Sequence, residues 1–330
     1  MTRPLIYIVI LAGLLLSCSG RPQRSDAAPA RTDSVAEAGS VSADSLMAML
    51  RAQTDMGPRV PGSAAHARCA DMLAGRLHGY GADSVEILES DAVAWDGTRL
   101  RVRNILARYG TELPSRVLLL AHYDTRPWAD RDPSPDARRT PIDGANDGAS
   151  GVAALLEIAR NLSMRPAPVG VDILLTDCED YGVPDGEPGD EDSWCLGAQA
   201  FAAALPYTPA TMPRYGILLD MIGGRGARFH REYFSEQAAP AVNDRIWAMA
   251  RRLDLGSRFP DQIGGAITDD HLPLIRSGIP TADIIECASP RTGSFPVTWH
   301  TLDDNAANID SAAMRDVTRV VLNVIYNERP

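Results

Sequence analysis

From residue 99 onward, short apolar runs of strand length alternate with longer segments of helical period, and this alternation restricts the chain to an α/β sheet. The runs are RLRVRNILARY (99–109), RVLLLA (116–121), VDILLT (171–176), RYGILL (214–219) and PTADII (280–285). Between and after them lie the helical segments GASGVAALLEIARNL (148–162), APAVNDRIWAMARRL (239–253) and SAAMRDVTRVVLNVIYN (311–327). Strands separated by helices pair in parallel, so the centre of the sheet is expected to be mostly parallel. Upstream, VEILES (85–90) reads as a further strand, and residues 44–56 and 63–79 as amphipathic helices, the second opened by a Ser63 cap. No period of 20–50 residues recurs. The expected architecture is one three-layer α/β/α catalytic domain over 44–330, with a mixed, mostly parallel twisted sheet.

The N-terminus reads differently. Residues 1–17 (MTRPLIYIVILAGLLLS) carry one early Arg and then an apolar stretch ending in small residues, the pattern of a secretory signal too short to span a bilayer. Cys18 follows LLS, as in a bacterial lipoprotein cleavage box, and is expected to carry lipid; the plainer alternative is an ordinary signal peptide with an incidental cysteine. Residues 18–43 are small, polar and rich in Pro, Ala and Ser, the composition of a flexible tether. Together these features predict an exported lipoprotein anchored on the periplasm-facing side of a membrane, the outer membrane of a Gram-negative bacterium.

A net charge of −11 argues against nucleic acid as a partner. The chain contains no lysine, which excludes pyridoxal-phosphate Schiff-base chemistry and a Walker-type phosphate loop. Cys69, Cys178, Cys195 and Cys287 form no C-x-x-C pair, so a zinc ribbon or thioredoxin-like site is not expected. A Cys178–Cys195 disulfide and four buried thiols are both open readings.

In open α/β sheets, ligands bind at the carboxyl ends of the strands, and here those ends carry acids and histidines. RVLLLA is followed by His122 and Asp124; VDILLT by Asp177, Glu179 and Asp180; RYGILL by Asp220; Asp147 immediately precedes a helix, and His300 follows the last strand. Carboxylates clustered at the end of a buried strand repel one another unless a cation or a shared proton intervenes. Imidazole and carboxylate together suit zinc, with three protein ligands and one open position; calcium would prefer an all-oxygen shell. Nucleophilic catalysis has little support: there is no G-x-S-x-G, Ser150 falls in the first turn of a helix, and Cys178 is flanked by acid.

These residues resemble a family. HYD (122–124), GANDGASG (144–151), Glu179-Asp180, LDMIGG (219–224), TDDH (268–271) and WHT (299–301), with GPRVPGS (57–63) upstream, are similar to the motifs of the M28 zinc aminopeptidases. The resemblance implies a mixed, twisted sheet flanked by helices. In the two-zinc members one metal is held by the equivalents of His122, Asp220 and the bridging Asp147, the other by Asp147, Asp180 and His300, with Glu179 as general base. All these positions are filled, so a two-zinc aminopeptidase is the alternative reading.

Three departures point to the glutaminyl cyclase branch: Asp269 stands where aminopeptidases carry Ser, Trp299 precedes the metal histidine, and the acidic pair is Glu-Asp. The strings AITDDHLPLIRSGIP, SFPVTWHTLDDNAANID, HYDTRPWADRDP and DSWCLGAQAF resemble cyclases of the Bacteroidetes type. That branch implies conversion of N-terminal Gln to pyroglutamate with release of ammonia, and one zinc on Asp147, Asp180 and His300. Asp220 and Asp269 would share a proton, withdrawing Asp220 from metal binding. Glu179 would shuttle the proton, Trp299, Phe295 and Trp194 would wall the pocket, and His122, Asp124 and Asp283 would support from behind. Asp283 replaces a histidine of the animal enzymes. A catalytically silent, lipid-anchored binding protein is the rival from another class; the intact Glu179 argues against it.

Overall fold

The structure, a computed structural model, describes residues 39–329. The signal-like stretch 1–17, Cys18 and the tether as far as residue 38 lie outside the described residues. Six strands form one sheet: β1 (Ser84–Val93), β2 (Arg99–Tyr109), β3 (Arg116–His122), β4 (Gly170–Thr176), β5 (Gly216–Leu219) and β6 (Thr281–Ile284), in the order β1-β2-β4-β3-β5-β6. The last four in that order run parallel, while β2 joins β4 antiparallel and β1 pairs outside it as a hairpin arm. Leu119 at the centre of β3 is flanked by Ile173 and Ile217. Every residue of β3, β4, β5 and β6 is buried, the condition under which a strand can be apolar on both faces. Asp172 is the polar exception in β4, and Arg116 neutralises it with two hydrogen bonds of 3.0 and 2.8 Å.

Among the described residues eight α-helices complete the layers: α1 (Ala43–Thr54), α2 (Ala64–Gly79), α3 (Ala149–Met164), α4 (Leu196–Ala203), α5 (Tyr233–Ala238), α6 (Pro240–Arg252), α7 (His271–Arg276) and α8 (Ser311–Tyr326). Helix α3 lies on β3 and β5 with α1 and α8 packed against it. On the other face Phe201 of α4 and Leu274 of α7 pack against Leu118, Leu120, Leu174 and Leu218. Burying a leucine of this kind is worth about 1.5–3 kcal/mol. The predicted three-layer architecture is therefore present. The short helices α4, α5 and α7 were not legible: α4 has eight residues with Gln199 as its one polar side chain and so shows no amphipathic period, and α7 spans six residues with a proline at its third. The tether also ends earlier than composition suggests. The Ser42 Oγ caps α1, and the Ser42 N–H donates to Glu157 at 3.4 Å.

Two features of the fold position the site. The chain passes from β3 to β4 on one side and then crosses to β5 on the other, which opens a crevice at the carboxyl ends of these strands. Helix α3 then approaches β5 so closely that a Cβ on Gly151 would lie 2.0 Å from the Leu219 carbonyl oxygen. Only glycine allows that contact, and it brings Asp147, just before the helix, to the strand ends.

Candidate active site

The strand ends turn sharply into the crevice. Cys178, Cys195, Met221 and His300 have φ of 53°, 59°, 46° and 55°, and the only other non-glycine residue of this kind among the described residues is Asp254. Each such conformation costs of order 1–3 kcal/mol and persists only where surrounding contacts enforce it. The contacts are present. Asp124 accepts the N–H groups of both Glu179 and Asp180, each at 3.1 Å. The Cys195 N–H donates to the Glu179 carbonyl at 3.0 Å, and the Met221 N–H donates to Asp220 Oδ1 at 2.8 Å.

This backbone separates the three acids that follow β4. Asp177 leaves the site: it lies 2.7 Å from His66 Nε2 and accepts the N–H groups of Arg103 and Cys178. The sequence reading placed it on the rim with its neighbours, but the left-handed turn at Cys178 sends it the other way. Glu179 and Asp180 remain, buried, and line one cavity of about 280 Å³.

Two overlapping sets of donors meet there. His122 Nε2 is 3.0 Å from Asp147 Oδ1 and 3.2 Å from Asp220 Oδ1. His300 Nε2 is 3.3 Å from Asp180 Oδ1 and 3.7 Å from Asp147 Oδ2. The donor atoms of each set are close enough to grip one ion, and Asp147 belongs to both. The opposite ring nitrogens face carboxylates, His122 Nδ1 towards Asp124 at 3.5 Å and His300 Nδ1 towards Asp130 at 3.3 Å, so both Nε2 atoms are aimed inward. Asp220 thus stands beside His122, within reach of a metal held there.

The electrostatics describe a site short of positive charge. Burial first, and then Asp147, push the Asp180 carboxyl up to about 6, and its Oδ2 has no hydrogen-bond partner among the described residues. Asp147 is instead held below the usual carboxylate range by His122, against its burial. Burial, then the charge of Asp269 and Asp180, raise Glu179 well above that range although His122 opposes this. Asp269 is likewise raised, by burial and then by Asp220. A divalent cation on Asp147, Asp180 and His300 would relieve the repulsion and engage the unpartnered oxygen, and the mixture of imidazole and carboxylate fits zinc.

Several supporting residues were not singled out in the sequence. Arg126, fully buried, donates to Asp130 at 2.7 and 2.8 Å and reaches Asp180 Oδ1 at 3.4 Å. Asp304 accepts the N–H groups of Asn146 and Asp147 at 2.7 and 3.1 Å, which fixes the loop carrying the shared ligand. Arg59, from GPRVPGS, donates to the carbonyls of Tyr123, Asp143 and Gly144 and ties two of the ligand loops together. Arg126, Asp130 and Asp304 fall inside motif strings, which was the available signal; nothing in spacing shows where their side chains reach.

The aromatic residues take distinct positions. Phe295 and Trp299, ring centroids 4.4 Å apart, pack against Met221, Ile267 and Ile285 as one apolar wall of the cavity. Trp194 also lines the cavity, and its indole stacks on His300 at 5.9 Å with an interplanar angle of 12°. It sits directly over Gly182, where a Cβ would lie 2.1 Å from the ring. Asp283 lies outside the cavity lining, fully buried, its Oδ2 3.6 Å from His271 Nδ1. All four described cysteines are free and buried, so Cys178 and Cys195 form no disulfide.

A mixed sheet whose strand ends gather paired His/Asp donor sets beside a buried glutamate is the arrangement of a zinc-dependent exopeptidase fold. The chain belongs to Peptidase family M28, whose profile matches residues 104–325. Among solved structures, Bacteroides thetaiotaomicron glutaminyl cyclase bound to N-acetylhistamine is similar at 45% identity, with a TM-score of 0.85 over 88% of this chain and 99% of that one. A Zn-dependent exopeptidase from Parabacteroides distasonis matches as well, also with 45% identity and a TM-score of 0.85, over 88% of this chain and all of that one. The glutaminyl-peptide cyclotransferase-like protein of Bos taurus is 27% identical over 286 residues, 80% of this chain and 70% of its own length.

Proposed function

We infer that this chain is a zinc-dependent glutaminyl-peptide cyclotransferase, converting N-terminal glutamine of peptides or proteins to pyroglutamate and ammonia. The observation that carries the reading is Asp269, an acid buried in the cavity beside Glu179, whose carboxyl burial and then the Asp220 charge push well above the usual carboxylate range. A neutral carboxyl can donate a hydrogen bond to a leaving amide, a role that peptide hydrolysis does not require of this position. The cavity, walled on one side by Phe295 and Trp299, has room for one glutaminyl side chain.

In the reaction the substrate's α-amine attacks its own γ-carbonyl carbon, the new C–N bond closes a five-membered ring, and the bond to the amide nitrogen breaks. Both reacting groups belong to one residue, so holding the side chain folded supplies much of the acceleration. Glu179 accepts the amine proton and passes it to the departing ammonia; burial, which raises its proton affinity, suits it to hold that proton in transit. Asp269 orients the leaving group. Zinc held by Asp147, Asp180 and His300 would polarise the γ-carbonyl as a Lewis acid.

We propose one zinc per chain: burial, with the Asp147 charge at Asp220 and the Asp220 charge at Asp269, raises both carboxyls, which favours a proton shared there over a second metal on His122, Asp147 and Asp220. The test uses the purified protein after mild dialysis, with elemental analysis and two substrates. Ammonia release from a Gln-initiated peptide with close to one zinc is expected. Cleavage of an aminoacyl-anilide with two zincs would establish the aminopeptidase, and inactivity on both would establish a binding protein.

We further propose that Cys18 is lipidated and anchors the enzyme to a membrane facing the periplasm, with the polar stretch that follows it as tether; the support is the sequence LLS-Cys after a short apolar leader. Among the described residues no helix is long and apolar enough to cross a membrane. Expression with radiolabelled fatty acid in a bacterial host should label the wild type and not Cys18→Ala. Unchanged membrane association of that variant would remove the proposal.

A further inference from the structure

A third group of ligand atoms lies at the edge of the cavity, with Glu179 and Asp269 in its lining and Cys195 behind them; it is distinct from both His/Asp sets and alone among the three contains sulfur. We propose that Glu179, Cys195 and Asp269 form a second metal site, selective for thiophilic divalent cations such as Cd²⁺ or excess Zn²⁺, whose occupation switches the enzyme off.

The site stands on geometry. One ligand atom from each residue lies within 4.8 Å of the other two, and all three residues are buried. Cys195 Sγ is 3.4 Å from Glu179 Oε1. A tetrahedral zinc with Zn–S of about 2.3 Å and Zn–O of about 2.0–2.2 Å places sulfur and oxygen roughly 3.5 Å apart, so this edge is already the right length. Asp269, 2% exposed, has an Oδ2 with no hydrogen-bond partner among the described residues, and the carboxylate faces the cavity. Cys195 is held for the purpose by its left-handed backbone and by its N–H bond to the Glu179 carbonyl. Glu179 and Asp269 line the open side, so an ion would enter where substrate enters and keep a solvent-facing fourth position.

Binding involves no redox step: the thiol proton, and any proton on the two carboxyls, pass to solvent as the metal–ligand bonds form. The sulfur gives selectivity, since thiolate favours soft cations while the neighbouring His/Asp sets offer only nitrogen and oxygen. The switch-off rests on the reading of Glu179 as proton shuttle, because a carboxylate bound to a cation cannot accept the amine proton. The binding itself does not depend on that reading.

The test titrates zinc-loaded wild-type enzyme with Cd²⁺. Thiolate-to-cadmium charge-transfer absorption in the ultraviolet, metal content after desalting and turnover of a Gln-initiated peptide are followed together. Expected are one Cd²⁺ per chain beyond the retained zinc, a sulfur band that grows with it, and inhibition in the same proportion. Cys195→Ser should lose the band and raise the half-inhibiting Cd²⁺ concentration on the order of 10–100-fold, relative to its own uninhibited rate. Cys69→Ser, altered in α2, should keep both. The wild-type titration decides even if Cys195→Ser fails to fold. Additional Cd²⁺ without a sulfur band would put the ion on His122, Asp147 and Asp220 and overturn the proposal, as would a band that survives in Cys195→Ser. A band without inhibition would overturn the switch. Because the band and the stoichiometry are read without substrate, their failure is separable from failure to cyclise glutamine.

Discussion

Glu179→Gln is expected to keep its zinc and lose on the order of 10²–10⁴ in kcat, the usual worth of a positioned acid–base group. The amide has the size and shape of the carboxyl but cannot accept a proton, and the backbone that presents it is untouched because Asp124 grips the 179 and 180 N–H groups and not the side chain. KM should change little if the glutaminyl group is held chiefly by the Phe295–Trp299 wall and the zinc. Steady-state kinetics on a Gln-initiated peptide, with zinc measured on the same preparation, checks both halves. Zinc lost together with activity would make Glu179 a ligand and move the proton shuttle to Asp269.

Its neighbour should fail in the opposite way. Asp180→Asn is expected to release zinc on dialysis and fall to background activity, recovering in part when zinc is added. A neutral amide is a weaker zinc ligand than a carboxylate. The substitution also leaves His300 Nε2 facing an amide in place of the Asp180 oxygen now 3.3 Å away. Arg126 would then retain its two bonds to Asp130 and lose its charged contact to residue 180, so the fold should survive. Metal content and circular dichroism of the dialysed variant separate ligand loss from unfolding. Full zinc retention with low activity would mean that Asp180 is not a ligand.

Much of this contrast was legible before any coordinates. His122, Glu179, Asp180 and Asp220 each follow an apolar run, and a run of that kind ends at the rim of a parallel sheet, so one-dimensional order already places them together. Asp147 precedes a helix that begins at the same rim, and His300 lies in the loop that follows the last strand. The supporting shell was not legible, because direction and long-range partners define it. Asp177 and Glu179 are two residues apart, yet one turns to His66 and the other to the cavity, owing to a left-handed Cys178 that no spacing predicts. Asp304 holds the backbone of Asp147 from 157 residues away, and Asp124 holds that of Asp180 from 56.

The sequence by itself thus determined the α/β layering, the sheet edge on which chemistry collects and most of the acids and imidazoles gathered there. These follow from periodicity and from the rule that strands covered on both faces expose only their ends. The tertiary structure alone decided which oxygen meets which nitrogen, that Asp177 is structural, that Asp220 still stands beside His122, and that Cys195 lies against Glu179 and not in a disulfide. The physical reason is that periodicity specifies which face of an element is buried, whereas donor geometry depends on turns, on close approaches such as Gly151 to Leu219, and on contacts between segments that only the packed chain brings together.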